Sequence, residues 1–280
     1  MSRTEAADSS DVVQRFEAEA AFWQEIFGRA DVQSVIHQRR LGLAIRLVDQ
    51  LGLPSGATVL EVGAGAGQLA VALARRGYRV SASDPAPRMR ELIRANAAAA
   101  GVQARLEVLA ADARALPFAA SQFDMVAALG VLPWLTDPRT VIDEMVRVVR
   151  PRGYLIVTCV SRTPLPMLLD PLRHPALGPL RDRVRLAAAR ARGTGLARRP
   201  RPPTWLSPAG MDDLLIAAGL SRVDGVAFGY GPLTWLGRRA FPDPVGAKLD
   251  ARIQRFGSTH PGFARRLATQ YIILARTPGS

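Results

Sequence analysis

Lysine is almost missing from this 280-residue chain: Lys248 stands alone, and the rest of the 37 basic residues are arginines. Cysteine is equally scarce. Cys159 by itself excludes an intrachain disulfide and a cysteine-based metal cluster, and its place in an apolar run predicts a small buried hydrophobe. No metal site is expected. No apolar stretch approaches the roughly 20 residues of a transmembrane helix. The first residues are polar and acidic, without the pattern of a signal peptide, so the expected location is the cytoplasm. What is plentiful is apolar residues, at 48%, enough for a substantial core in one α/β domain with additions.

The net charge of +13 is uneven. Between Ser161 and Pro203, ten arginines (162, 173, 181, 183, 185, 190, 192, 198, 199 and 201) face only Asp170 and Asp182, which accounts for +8 of the total. Strands of nucleic acid are gripped by basic residues interleaved with aromatics on which bases stack. This stretch has no Phe, Tyr or Trp, and carries Leu, Ala and Pro instead.

The most informative segment runs from Thr58 to Gly67 (TVLEVGAGAG). β-branched and aliphatic residues predict a buried strand that ends at Glu61-Val62, and Gly63, Gly65 and Gly67 then let the backbone bend sharply and approach a ligand closely. A helix follows over 68–76, with Gly77 as its stop. Spacing decides between ligands. The dinucleotide fingerprint would need glycine at Gln68, and the lysine and hydroxyl of a P-loop are absent. A second strand, 78–84, ends at Asp84, 21 residues beyond Gly63, with Pro85 beside it. An acid there can accept both hydroxyls of a ribose; the alternative for an Asp before Pro is a turn residue. A third strand over 105–110 leads to Asp112-Ala113, and a fourth over 123–130 ends at Leu129-Gly130. Asp124, at the start of that strand, reads as structural. Asp137-Pro138 opens a helix, and 154–160 is a fifth strand, apolar enough to be covered on both faces.

The pattern Gly-x-Gly-x-Gly preceded by an acid resembles the first motif of class I S-adenosylmethionine (SAM)-dependent methyltransferases, and residues from about 55 to 160 match that family's motif order. The resemblance implies an α/β, Rossmann-like, seven-stranded, mostly parallel sheet with an antiparallel seventh strand and helices on both faces. It implies SAM as cofactor, held by Glu61, Gly63, Ala64, Gly65, Gly67, Asp84, Pro85, Asp112, Ala113 and Leu129. In the family, the Asp112 position accepts from the adenine amine while the Ala113 N–H donates to the ring. The family's pair of glycines before the fifth strand is here Arg152-Gly153, a minor departure.

The rest of the chain is read around that core, taken as 54–160. Residues 1–53 are expected to form a helical lid, with Val12, Phe16, Ala20, Trp23 and Phe27 at helical spacing, a stripe that more often packs than binds. In related small-molecule methyltransferases an arginine there pairs with the methionine carboxylate. Arg40 resembles it, with Arg39 as runner-up. Residues 161–206 are a basic cap insertion, and 207–280 complete the core with sixth and seventh strands and a second insertion at about 231–268. The insertions are expected to build the acceptor pocket together with Trp23, Trp134 and Tyr230, while Trp235 and Phe241 read as core. Two readings of the arginine-rich stretch stand: a cap with a solvated outer face, and an amphipathic element making peripheral contact with an anionic membrane.

The expected reaction is direct displacement onto a small-molecule or lipid-like acceptor, at oxygen. The stretch after the fourth strand lacks the histidine that many family members use as a base, which leaves His37 and His174 as weak candidates for proton removal. The alternatives are an RNA methyltransferase, disfavoured by the missing Asn-Pro-Pro-Tyr type motif, and a non-catalytic subunit that keeps the fold.

Overall fold

Consecutive residues of the central strands are apolar because each faces a different layer of helices. Val59 belongs to the core that holds Leu47, Leu69, Leu73 and Ile93 on one side of the sheet, whereas its neighbour Leu60 belongs to the core that holds Ile142, Met145 and Met211 on the other. Such strands stay buried on both faces, and burying a side chain of this size contributes about 2 kcal/mol.

The computed structural model describes residues 3–191 and 205–279. Three helices come first: α1 (Arg3–Ala18), α2 (Ala20–Glu25) and α3 (Val32–Leu51). The expected lid is therefore broken into pieces. Asp31 restarts the last one by accepting hydrogen bonds from the Ser34 N–H and hydroxyl, and Gly52 ends it at φ 60°. The core follows as β1 (Thr58–Val62), α4 (Gln68–Arg75), β2 (Arg79–Ser83), α5 (Pro87–Ala99), β3 (Leu106–Leu109), β4 (Phe123–Ala128), α6 (Pro138–Val148) and β5 (Val149–Val160). Then come α7 (Leu165–Leu169), α8 (Gly178–Ala191), α9 (Pro208–Ala217) and β6 (Ser221–Phe228). The chain closes with β7 (Thr234–Trp235), β8 (Arg238–Arg239), α10 (Asp243–Thr259), α11 (Pro261–Leu267) and β9 (Gln270–Arg276).

The seven-stranded sheet has the order β3-β2-β1-β4-β5-β9-β6. The first five strands pair in parallel, and β9 runs antiparallel to both β5 and β6. The expected class is thus the observed one. Strand order reverses between β1 and β4, and that is where an open α/β sheet leaves a crevice at its carboxyl edge. Asp124 is structural, as its position suggested: it accepts from the Thr58 N–H and hydroxyl and pairs with Arg150. Cys159 is buried, and burial pushes its thiol up to about 12.

The second insertion departs from its reading. It forms the β7–β8 hairpin and the helices α10 and α11, and Trp235 and Phe241 are exposed rather than core. Its anchor is polar: buried Asp250 on α10 accepts from Arg39 at 2.6 Å and from the Tyr230 N–H at 2.6 Å. In the first insertion, Arg192, Arg198, Arg199 and Arg201 lie outside the described residues.

Candidate active site

The turn after β1 owes its shape to backbone that only glycine adopts easily. Gly63 sits at φ 64°, and a Cβ there would strike Val131 at 2.5 Å. Gly65, at φ 55°, has nothing within 4 Å of where its Cβ would be, so the turn presents bare backbone to open space. Its N–H donates to Asp84 Oδ2 at 2.9 Å, and the Ala86 N–H donates to Oδ1 at 2.9 Å. These two bonds fix the carboxylate at the end of β2 and leave each oxygen further lone-pair capacity. Burial outweighs them and pushes Asp84 up to about 6.

Above this turn lies a cavity of about 760 Å³. It brings together Glu61, Gly63, Ala64, Gly65, Asp84, Pro85, Asp112, Ala113 and Leu129 from the sheet edge, and Trp23, His37, Arg40 and Trp134 from the lid and the loop after β4. Gly67 is not on the wall; at φ 77° it lets α4 start against Ile93, which a Cβ would meet at 3.0 Å. Asp112 lines the cavity with both oxygens already accepting from the Arg114 guanidinium, and that bond holds its carboxyl below the usual range.

Arg40 lies deep, in contact with Gly130, where a Cβ would meet its Nη1 at 2.5 Å. Its guanidinium makes no hydrogen bond among the described residues, and burial pushes it down to about 10 against the opposing pull of Glu61. Glu61 is buried, its Oε2 has no partner, and burial pushes it up to about 8 although the Ala70 N–H bonds it. A cationic group without a partner, a buried acid and a bare glycine turn therefore share one pocket. An amino-acid nucleoside fits this set: a carboxylate for Arg40, backbone approach at Gly65 and a ribose for Asp84. Arg39, the runner-up, is instead engaged with Asp250 and Gln254.

The opposite wall is aromatic. Phe16 meets Trp134 edge-on at 5.4 Å and Trp23 at 5.7 Å, and Trp23 meets His37 edge-on at 5.3 Å. Arg15 lies over the Trp134 ring at 4.6 Å. Val12, Phe16, Trp23 and Phe27, the stripe read as packing, all reach the cavity. Phe22 and Trp205 join them with no sequence signal beyond being aromatic.

Two further sequence-chosen residues, Tyr230 and His174, are placed outside the cavity, and a third, His37, lines it in a weakly basic state. Tyr230 is fully buried away from the cavity, stacked on Phe263, because its chain position follows β6 into the packing of α10 and α11. His174 is also outside, its Nδ1 accepting from the Ala176 N–H. His37 is on the wall, but burial and then the charge of Arg40 push it down to about 3, so its ring is neutral and weakly basic. Among the described residues, the second insertion adds nothing to the wall, and the first adds only Trp205.

Comparison with known proteins agrees with this geometry. Residues 60–157 match the family model described as a methyltransferase domain. Magnesium protoporphyrin IX methyltransferase from Synechocystis PCC 6803, solved with bound SAH, superposes with a TM-score of 0.62 over 96% of this chain and 99% of that one, at 17% identity. Residues 60–157 are thus a methyltransferase domain by similarity, set in the fold of that structure. Sequence relatives of this methyltransferase domain include a ubiquinone biosynthesis O-methyltransferase of Xylella fastidiosa, 35% identical over 109 residues. That match covers 39% of this chain and 44% of the relative, so the chain spans less than half the length of that relative. A protein of the same name from Psychrobacter arcticus is 28% identical over 191 residues, covering 67% of this chain and 68% of its own.

Proposed function

We propose that this protein transfers a methyl group from SAM to a small, flat, largely apolar acceptor, at a phenolic or carboxylic oxygen. The observation that carries the reading is a cavity with two unlike walls. One is a glycine turn with Asp84, Glu61 and Arg40; the other is an aromatic lid whose histidine, His37, is neutral and weakly basic. SAM, when bound, supplies a methyl already activated by its sulfonium, so holding an acceptor in line provides much of the acceleration. Arg40 would hold the amino-acid end, Asp84 the ribose, and Asp112 with Ala113 the adenine. Phe16, Trp23 and Trp134 would orient the acceptor and exclude water. Neutral His37 suits hydrogen bonding to an acceptor oxygen better than proton removal, which favours acceptors that ionise on their own. The names of the two O-methyltransferase relatives support oxygen as the acceptor atom.

The test is calorimetry with SAM and its demethylated product, followed by transfer of labelled methyl to a panel of phenols and carboxylic acids. Micromolar binding and turnover of a phenol are expected. Arg40→Met should weaken SAM binding roughly 30-fold, about 2 kcal/mol. Absence of SAM binding would favour the scaffold alternative, and methylation of RNA alone the nucleic-acid one.

A further inference from the structure

The β7–β8 hairpin and α7 form one surface unit, held from beneath by a buried acid. Asp170 Oδ2 accepts from the Thr234 hydroxyl at 2.6 Å and from the Gly237 N–H at 3.0 Å, while Oδ1 accepts from the Leu172 N–H at 2.9 Å. The Thr234 bond leads in holding this carboxyl below the usual range. Leu172 reaches the turn itself, 3.7 Å from where a Cβ on Gly237 would be. The tip is therefore fixed, yet what it displays to solvent is apolar. Trp235 is 59% exposed and Leu236 53%, beside exposed Leu169 and Leu172.

The turn makes this display costly. Leu236 and Gly237 both have positive φ, 50° and 77°, in a two-residue hairpin loop that ordinarily takes Asn-Gly or Gly-Gly. Leucine is strained in that conformation, and here no burial offsets the strain. Around the tip stand exposed Arg238, Arg173, which lies 4.0 Å from the Asp170 carboxylate, and Arg239, which pairs with Asp243. Further along the same insertion, α8 exposes Leu180 and Val184, four residues apart on one face, with Arg183 in the same turn. The segment carrying all this except the hairpin leaves the sheet at Val160 and returns at Trp205, and both residues line the cavity.

We propose that the β7–β8 tip and α7 form a docking surface for an anionic lipid bilayer, with Trp235 and Leu236 entering the interfacial layer and the arginines facing lipid phosphates. Indole rings favour that layer, and guanidinium groups bind phosphate in forked geometry. Apolar insertion and charge attraction are each marginal alone and sufficient together. The basic excess disfavours a second copy of the chain on this face, and one exposed indole, Trp235, offers no series of rings on which successive bases stack, which disfavours nucleic acid. This inference goes beyond methyl transfer and does not depend on the acceptor.

The test is co-sedimentation of the full chain with phosphatidylcholine vesicles, with and without phosphatidylglycerol. Retention on the anionic vesicles should exceed that on neutral ones at least tenfold, on the order expected for a few arginines at the surface, and should fall with added salt. The double variant Trp235→Ser, Leu236→Ser should lose roughly tenfold or more, and Arg238→Glu roughly tenfold. The thermal shift induced by SAM should be the same in all of them, which separates failure of docking from failure of the cofactor site. Equal retention on both vesicles would overturn the proposal, as would wild-type retention of the double variant. So would preference for single-stranded RNA over vesicles, or a dimer in sedimentation velocity that the double variant abolishes.

Discussion

On one side of the cavity the ligand-facing surface is backbone, from Gly63 to Ala66; on the other it is side chain, from Phe16, Trp23 and Trp134. Backbone surfaces demand particular φ values and the absence of a Cβ, so they impose residue type at fixed spacing. Side-chain walls demand only bulk and low polarity, which many residues at many positions supply. The two halves should therefore fail differently. The sheet edge should lose cofactor abruptly when a single Cβ is added, and the lid should lose acceptor gradually.

The largest effect is expected at Gly65. Gly65→Val places a branched side chain where the turn now faces open space, at a φ that a β-branched residue resists. SAM affinity should fall at least roughly a thousandfold, about 4 kcal/mol. Calorimetry measures this, and retention of micromolar binding would mean the cofactor does not approach this turn.

Next in size is a pH effect on the same wall. The native state holds the Glu61 proton to about 8, against 4.5 in an unfolded chain. Between those values the native state binds more protons than the unfolded one, so this group's contribution to stability falls as pH rises. Glu61→Gln has no such proton to lose. Its advantage over the wild type should grow from about pH 4.5 to about pH 8, by a few kcal/mol, and stay level above that. Chemical denaturation of both proteins without cofactor at several pH values checks it. A constant difference across the window would show that Glu61 is ionised in the native protein.

The lid side is softer. Trp134→Ala removes the partner of Phe16 and the ring beneath Arg15. Acceptor KM should rise roughly tenfold, while SAM affinity stays within about twofold. Loss of both together would mean that the two walls are not separable.

This asymmetry governs what could be read in advance. The strands, the glycine turn, Asp84 and the antiparallel last strand were legible because hydrophobic period, positive φ and a carboxylate at a strand end each leave a mark in one dimension. Arg40 was legible only through its place in the lid, and its meaning rests on Gly130 yielding space for it, a contact 90 residues away in sequence. The aromatic stripe on α1 and α2 read as packing because a cavity wall and a core face have the same helical spacing. The second insertion was misassigned for the opposite reason. A connection that emerges near the ligand edge can still turn away from it, and the long-range bonds from Asp250 and Asp170 decide that it does.

The smallest expected effect tests that last point. Tyr230 lies against Gly257, where a Cβ would come within 2.2 Å of its hydroxyl, and that hydroxyl is buried without a hydrogen-bond partner. Because an unpaired buried hydroxyl carries a desolvation penalty, Tyr230→Phe should leave stability unchanged or raise it by up to about 1 kcal/mol. Acceptor KM should not move, since the ring is screened from the cavity by its packing on Phe263. A shifted KM would return this tyrosine to the acceptor site. It would also show that the packing of Tyr230 against the second insertion, not the lid alone, shapes the proposed acceptor pocket.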